Sequence, residues 1–393
     1  MKGFTLVELL VAMAITLVVT AAALSIVQPL HDVFQVQPEW SDLHQRTRVG
    51  VDALHRDLRM AGAGMYAAGD VGPLHQFLAP VMPYRAFGGD SDSEEGAFFR
   101  ADAISLLFVP STPAQTTLAM DLPAGGLEIE VVLAGACPAA TASQVCGLAA
   151  GDEVLVFDRT GTWDVFSIDR AAAGTPLALE GPLPARGFAA GSNVTAVRAV
   201  TYALKPDQAA GAFQLVRSEG DGPAQPVLDH VVKLEFSYWG DPEPPRLVTD
   251  DEAQPRASYG PAPPAVGEAR GDWPEGENCT FAVVDGGHVP RLAALGPAGS
   301  LVEMPAALLT DGPWCPGPGD RNRFDADLLR IRRVRFVLRV QAAVPALRGP
   351  AGRLFANAGL ARAAGRMVPD LEIPFDVAPR NMNQPGLWNA AHE

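Results

Sequence analysis

The stretch "GFTLVELLVAMAI" runs from Gly3 to Ile15, with only Met1 and Lys2 before it. It is apolar enough to lie in a bilayer, yet it carries one carboxylate, Glu8, five residues past a glycine. The apolar run continues from Leu9 to Val27, broken only by Thr16, Thr20 and Ser25, small hydroxyl residues that can bond back to a helix carbonyl. With Phe4 to Glu8 in front it makes roughly 36 Å of helix, enough to cross a hydrocarbon core of about 30 Å. Lys2 precedes the run and no lysine or arginine follows until Arg46. The positive-inside bias then puts the N-terminus in the cytoplasm and everything after Gln28 outside.

A cleaved secretory signal is the rival reading, because Ala21, Ala22 and Ala23 form an A-x-A-like site. Against it stand the single lysine of the n-region and Glu8 itself. A charge at the centre of a membrane helix costs about 2.5 to 3.5 kcal/mol, less near an interface, and a transient signal gains nothing from it. A plain uncleaved anchor has the same difficulty.

The chain has 393 residues and a formal net charge of -15, with a pI near 4.9. That charge excludes a general nucleic-acid binder, since affinity for phosphate backbones comes mainly from neutralising cations. With 39 glycines and 35 prolines the chain is richer in turn formers than an average one, which implies a folded, loop-rich body.

After the apolar run, Pro29 and Pro38 predict a bend or break in the helix. Beyond them Leu43, Thr47, Val51, Leu54, Leu58 and Ala61 recur at helical spacing, while Arg48, Asp52, Arg56 and Arg59 lie elsewhere on the wheel. This predicts an amphipathic helix ending near Gly62 and Gly64, with its apolar stripe on a sheet. Strands are predicted at Asp102 to Pro110, Leu127 to Leu133, Glu153 to Asp158, Trp163 to Asp169 and Val194 to Leu204, short β-branched runs bounded by Gly, Pro or Asp. Two more fall within Ala212 to Trp239, and the last at Leu329 to Gln341 and Asp370 to Val377. From Gly240 to Asp327 proline clusters and weak periodicity predict a long insertion rather than a core element. Trp273, Trp314 and Tyr259 are the aromatic anchors that a contact surface there would use.

Four cysteines, Cys137, Cys146, Cys279 and Cys315, all lie beyond the span and fit an oxidising compartment. Three connectivities are possible, and proximity favours Cys137 with Cys146 and Cys279 with Cys315. No C-x-x-C and no paired histidines accompany them, which argues against zinc. The chain has no H-E-x-x-H, no G-x-S-x-G and no phosphate-binding loop, so no enzyme is expected. Two acidic stretches could hold calcium: Asp90, Asp92 and Glu94 in "GDSDSEEG", and Asp320, Asn322, Asp325 and Asp327 in "GDRNRFDAD". Neither has the full EF-hand pattern, and a solvated turn is the plainer reading of each.

Gly3, Phe4, Thr5, Leu6, Val7 and Glu8, standing before the apolar run, resemble the class III signal of type IV pilins and type II secretion pseudopilins. The resemblance implies that a prepilin peptidase cuts between Gly3 and Phe4, that Phe4 is N-methylated, and that Glu8 becomes the fifth residue of the mature chain. The new amine on Phe4 would be cationic and buried at a helix N-terminus, so the Glu8 carboxylate of a neighbouring subunit is its natural partner. "DLRMAGAG" (Asp57 to Gly64), "VLDHVVKLEFSYW" (Val227 to Trp239) and the closing "VAPRNMN" resemble PilW-type minor pilins, the second also J-type pseudopilins.

The implied fold is α+β and pilin-like: a long N-terminal helix, membrane-spanning in its first half, packed on antiparallel sheets with a loop-rich insertion. The implied division is a leader at 1–3, a transmembrane and filament-core helix at 4–28, an amphipathic extension at 29–64, a β-rich periplasmic body at 65–239, the insertion at 240–327 and closing strands at 328–393. The implied function is that of a minor pilin that primes a type IV pilus and sits at or near its tip. Its partners would be other minor and major pilins, the prepilin peptidase, the inner-membrane assembly platform and a tip adhesin, with no direct nucleic acid. A J-type pseudopilin and a membrane-anchored periplasmic binding protein or adhesin are the alternatives.

Overall fold

The structure is a computed structural model that describes residues 5–64, 74–84, 99–110, 114–133, 137–158, 161–180, 186–220, 222–248, 256–269, 271–320, 322–348 and 368–382, with backbone alone at 26–35 and 380. Gly3, Phe4, Asp90, Asp92 and Glu94 lie outside the described residues.

One α-helix, α1, runs for 55 residues from Leu6 to Met60. It continues across Pro29 and Pro38, so the expected break does not occur. Each proline removes one N–H and crowds the carbonyl four residues back, a loss of about 3 kcal/mol. Tertiary packing holds the far end of the helix, where the stripe from Leu43 to Ala61 is buried. Leu43, Thr47, Val51, Leu54, Leu58 and Ala61 are all buried, while Arg48, Asp52, Arg56 and Arg59 are exposed. The stripe packs on a sheet, as its spacing predicts. Gly50 sits where the helix comes nearest that sheet, because a β-carbon there would lie 2.9 Å from Leu228 Cδ2. The helix stops at Gly62, whose φ of 73° is open to glycine and strained for other residues.

The main strands are β1 (Ala103–Phe108), β2 (Gln115–Thr117), β3 (Glu128–Ile129), β4 (Glu153–Phe157), β5 (Trp163–Arg170) and β6 (Leu177–Glu180). They continue with β7 (Asn193–Asp207), β8 (Ala212–Glu219), β9 (Gln225–Gly240), β10 (Val302–Met304), β11 (Ile331–Val340) and β12 (Leu371–Val377). All pair antiparallel, in the order β12-β11-β9-β8-β7-β4-β5-β6-β3, with β1 and β2 also on β7 and β10 on β9. An apolar helix followed by a large antiparallel sheet is an α+β, pilin-like arrangement.

The long strand β7 belongs to two lobes. Its second half pairs with β1 and β8 under the helix, and its first half pairs with β4 and β2. On that side the ring of pairings closes. A bridge between Leu118 and Val131 joins the end of β2 to the end of β3, and β3 pairs with β6. The result is a small barrel with its own core, including Leu118, Val131, Val156, Phe166, Leu179 and Val194. Closure leaves no free edge between β2 and β3. The predicted strand over Leu127 to Leu133 is therefore shorter than expected, with Glu128–Ile129 in ladder pairing and Val131 in the single bridge.

The barrel is fastened to the main core by the other faces of β4 and β5. Leu155, Phe157, Trp163 and Val165 belong to the helix-side cluster, where the Phe157 ring lies 4.8 Å from Phe77 and Trp163 lies 5.8 Å from Phe324. Both faces of β4 are thus dry and its sequence reads as a near-continuous apolar run, whereas β5 keeps Asp164 and Ser167 half-buried and Asp169 and Arg170 exposed.

The segment after Gly240 was expected to stay outside the core. Instead Tyr259, Leu292, Leu309 and Phe324 are each at most 3 % exposed and join the main cluster, and Phe281 is buried at 1 % exposure. Two short pairs, Phe281–Val284 with Gly287–Pro290 and Trp314–Cys315 with Phe324–Asp325, hold the segment together. The Cys279–Cys315 disulfide ties the first pair to the second, and a second disulfide joins Cys137 to Cys146 on the barrel. Proline and glycine hide the periodicity here without preventing burial.

Candidate functional site

The helix start is built by local chemistry. Thr5 is the N-cap: its Oγ1 accepts from the Glu8 backbone N–H at 3.3 Å, while the Thr5 N–H and hydroxyl both donate to Glu8 Oε2 at 2.9 Å. This reciprocal capping box satisfies helix donors that have no partner within the helix. Glu8 Oε1 accepts no hydrogen bond among the described residues, so the carboxylate can receive a further cation without opening the cap. Thr5 was not singled out as a site residue by sequence reasoning, although the Thr5-x-x-Glu8 spacing before an apolar run is the signature of such a box.

Behind the cap, every residue from Leu6 to Ser25 is exposed, and this stretch is long and apolar enough to cross a membrane. The hydroxyls of Thr16, Thr20 and Ser25 donate to the carbonyls of Ala12, Thr16 and Ala22 at 2.8, 2.7 and 2.7 Å. No polar group of theirs is left to face lipid. An exposed apolar helix of this length fits a span through lipid or packing among other helices.

Residues 1–24 match the family described as the prokaryotic N-terminal methylation motif. The match supports a type IV pilin-like or pseudopilin protein carrying a class III signal, and it fits single-pass anchoring in the inner membrane. Such a signal implies processing by a prepilin peptidase and assembly with other pilins. No curated protein and no solved structure matches the chain.

The acidic residues named for calcium do not converge as their spacing suggests. Asp320 lies 3.1 Å from Arg186, which also pairs with Asp272 at 2.7 Å, and Asn322 donates to Asp164 Oδ1 at 2.6 Å. These contacts strap the segment after Gly240 to the barrel. Burial lifts Asp320 to about 6; Arg186 opposes the shift, while Asp272 and Asp164 add to it. Asp325 and Asp327 turn away from this group. Asp325 accepts from the backbone N–H groups of Gly312 and Asp327, and Asp327 pairs with the fully buried Arg330 at 2.8 Å. Burial lifts Asp325 to about 7 against those two backbone donors.

Of the three aromatic side chains expected on a contact surface, Tyr259 is buried while Trp273 and Trp314 are half-buried. The Tyr259 hydroxyl donates to the Glu243 carbonyl, Trp273 Nε1 donates to the Pro316 carbonyl at 2.7 Å, and Arg323 covers Trp314 at 5.2 Å.

Proposed function

We propose that the chain is a minor pilin of a type IV pilus, a structural subunit that helps prime assembly and stands at or near the tip. The observation that carries this reading is the capped Glu8 at the start of an unburied apolar helix that leads without a break into a two-lobed head. In this account Glu8 Oε1 receives the cationic Phe4 amine of a neighbouring subunit as the helix leaves the bilayer. Charge pairing offsets the desolvation that neither group could bear alone. The head, with its barrel and its strapped segment, is too bulky to repeat along a shaft. Its partners are other minor and major pilins and the inner-membrane assembly platform, with a tip adhesin beyond it.

Deletion of the gene, complemented by tagged wild type or Glu8→Ala, tests the proposal. Few or no pili on deletion, restoration by wild type, and tagged wild type but not Glu8→Ala in the sheared filament fraction are the expected results. Normal piliation on deletion would sink the priming role. Lost protein secretion with intact pili would favour a J-type pseudopilin.

A further inference from the structure

Glu39 is the first buried side chain along α1 among the described residues. Its Oε1 takes Arg46 Nη2 at 3.4 Å and also the backbone N–H of Ala343, which belongs to the loop after β11. The helix is thus tied to that loop at the neck, where it parts from the head toward the apolar run.

One side chain holds the loop in turn. Arg348 donates through Nε to the Ala342 carbonyl, through Nη1 to the Ala210 carbonyl at 2.7 Å in the turn between β7 and β8, and through Nη2 to the Ala343 carbonyl at 2.8 Å. Its last contact, from Nη2 to His230 Nδ1 at 3.2 Å, is the one with a titratable acceptor. A guanidinium has donors only, so Nδ1 carries its lone pair here and the imidazole is neutral. A proton on Nδ1 removes the acceptor and sets two cations against each other.

The backbone aims His230 at this contact. Between the pairs Leu215–Leu228 and Phe213–Val231, β9 has one residue more than β8, and in this bulge His230 takes a φ of 59°. A bulge re-aims a side chain, and the left-handed region is uncommon for residues with a β-carbon. Strain of this kind gathers at switch regions.

The neighbouring charges set the direction. Burial, then Arg348 and Arg46, hold the imidazole below its ordinary range, while Asp229 on β9 and Glu39 on α1 oppose them. From β8, Gln214 Nε2 donates to Asp229 at 2.9 Å, and Asp370, 3.5 Å from Arg339 of β11, acts on Arg348.

We propose that His230 is an acid-sensitive latch at the neck. Neutral, it holds Arg348 and through it the loop that binds Glu39; protonated, it releases the loop and loosens α1 from the base of the head. The closed latch binds fewer protons than the open one, so it weakens as pH falls through the ordinary histidine value of about 6.5.

Amide exchange of the full chain in detergent micelles, corrected for the intrinsic effect of pH, tests the latch between about pH 7.5 and about pH 5. The reporters are peptides over 341–348, where the Gln341 N–H donates to the His230 carbonyl and the Ala343 N–H to Glu39. Their opening should rise as pH falls, by up to about tenfold per pH unit, the ceiling for one coupled proton, while β4 in the barrel stays closed. His230→Asn accepts without titrating and tolerates the left-handed backbone, so it should keep the loop closed and abolish the rise. Asp229→Asn, an exposed change, removes a charge that favours the imidazolium and should shift the opening to lower pH. If His230→Asn does not fold, Asp229→Asn decides. Loop exchange in the wild type that ignores pH, a barrel that opens together with the loop, an undiminished rise in His230→Asn, or an unshifted one in Asp229→Asn would overturn the latch.

Discussion

Asp57 in the last turn of α1 receives Arg217 Nε at 2.9 Å from β8, and the same carboxylate oxygen accepts the Tyr202 hydroxyl at 2.8 Å from β7. The pair fixes the helix against two strands at the point where the apolar stripe ends. Asp57 keeps 13 % and Arg217 28 % of its side-chain exposure, so the pair is shielded but not dry. Asp57→Ala should lower unfolding free energy by about 1 to 3 kcal/mol, since it leaves a buried phenol without its acceptor and Arg217 with Glu219 alone. Chemical denaturation of the chain in micelles measures this. A loss below about 0.5 kcal/mol would place the pair among idle surface bridges.

The cap at Thr5 makes a local forecast. Thr5→Ala removes the hydroxyl that accepts from the Glu8 N–H and donates to Glu8 Oε2. A lost N-cap is worth about 1 kcal/mol, or about fivefold in local opening. Amide exchange at Glu8 should speed up by that factor while exchange beyond the first turn stays as it was. Unchanged exchange at Glu8 would mean that the box does not hold the helix start.

Asp320 sets a pH dependence whose sign follows from its raised value. Burial pushes its carboxyl up to about 6 in the folded chain, above the ordinary aspartate value of about 3.9. Between those values the folded state binds more protons than the unfolded one, so stability falls as pH rises from about 4 to about 6. After solvent screening the loss is about 1 to 2 kcal/mol. Asp320→Asn should flatten that part of the stability curve. A slope equal to that of the wild type would show that the charge near Arg186 is already balanced.

The two disulfides should differ in weight. Cys279–Cys315 closes a separation of 36 residues and Cys137–Cys146 one of 9. Chain entropy gives about 4 kcal/mol for the longer loop and about 2.5 kcal/mol for the shorter. Replacing each pair by alanine should destabilise in that order, read from denaturation midpoints under oxidising conditions. The reverse order would mean that the strapped segment stays packed without its link.

Much of this architecture was legible in the sequence. The stripe from Leu43 to Ala61 and the alternation of Leu234, Phe236 and Tyr238 carry their periods openly, because each element buries one face. The barrel was not legible. Its closure rests on one bridge, Leu118 to Val131, and on a β3 only two residues long, neither of which leaves a local pattern. Tyr259, Phe281 and Phe324 were hidden for another reason: short pairs and a disulfide, not a repeating period, carry them into the core. At the sites, the pattern from Gly3 to Glu8 was readable because one chemistry demands those residue types in order.

The most direct test of the central claim is the intact mass of the N-terminus of the membrane-extracted protein, in cells with and without prepilin peptidase. The account predicts a chain that begins at methylated Phe4 when the peptidase is present and at Met1 when it is absent. A terminus near Leu24, or Met1 in both strains, would contradict it and leave an anchored or secreted β-rich protein outside any filament.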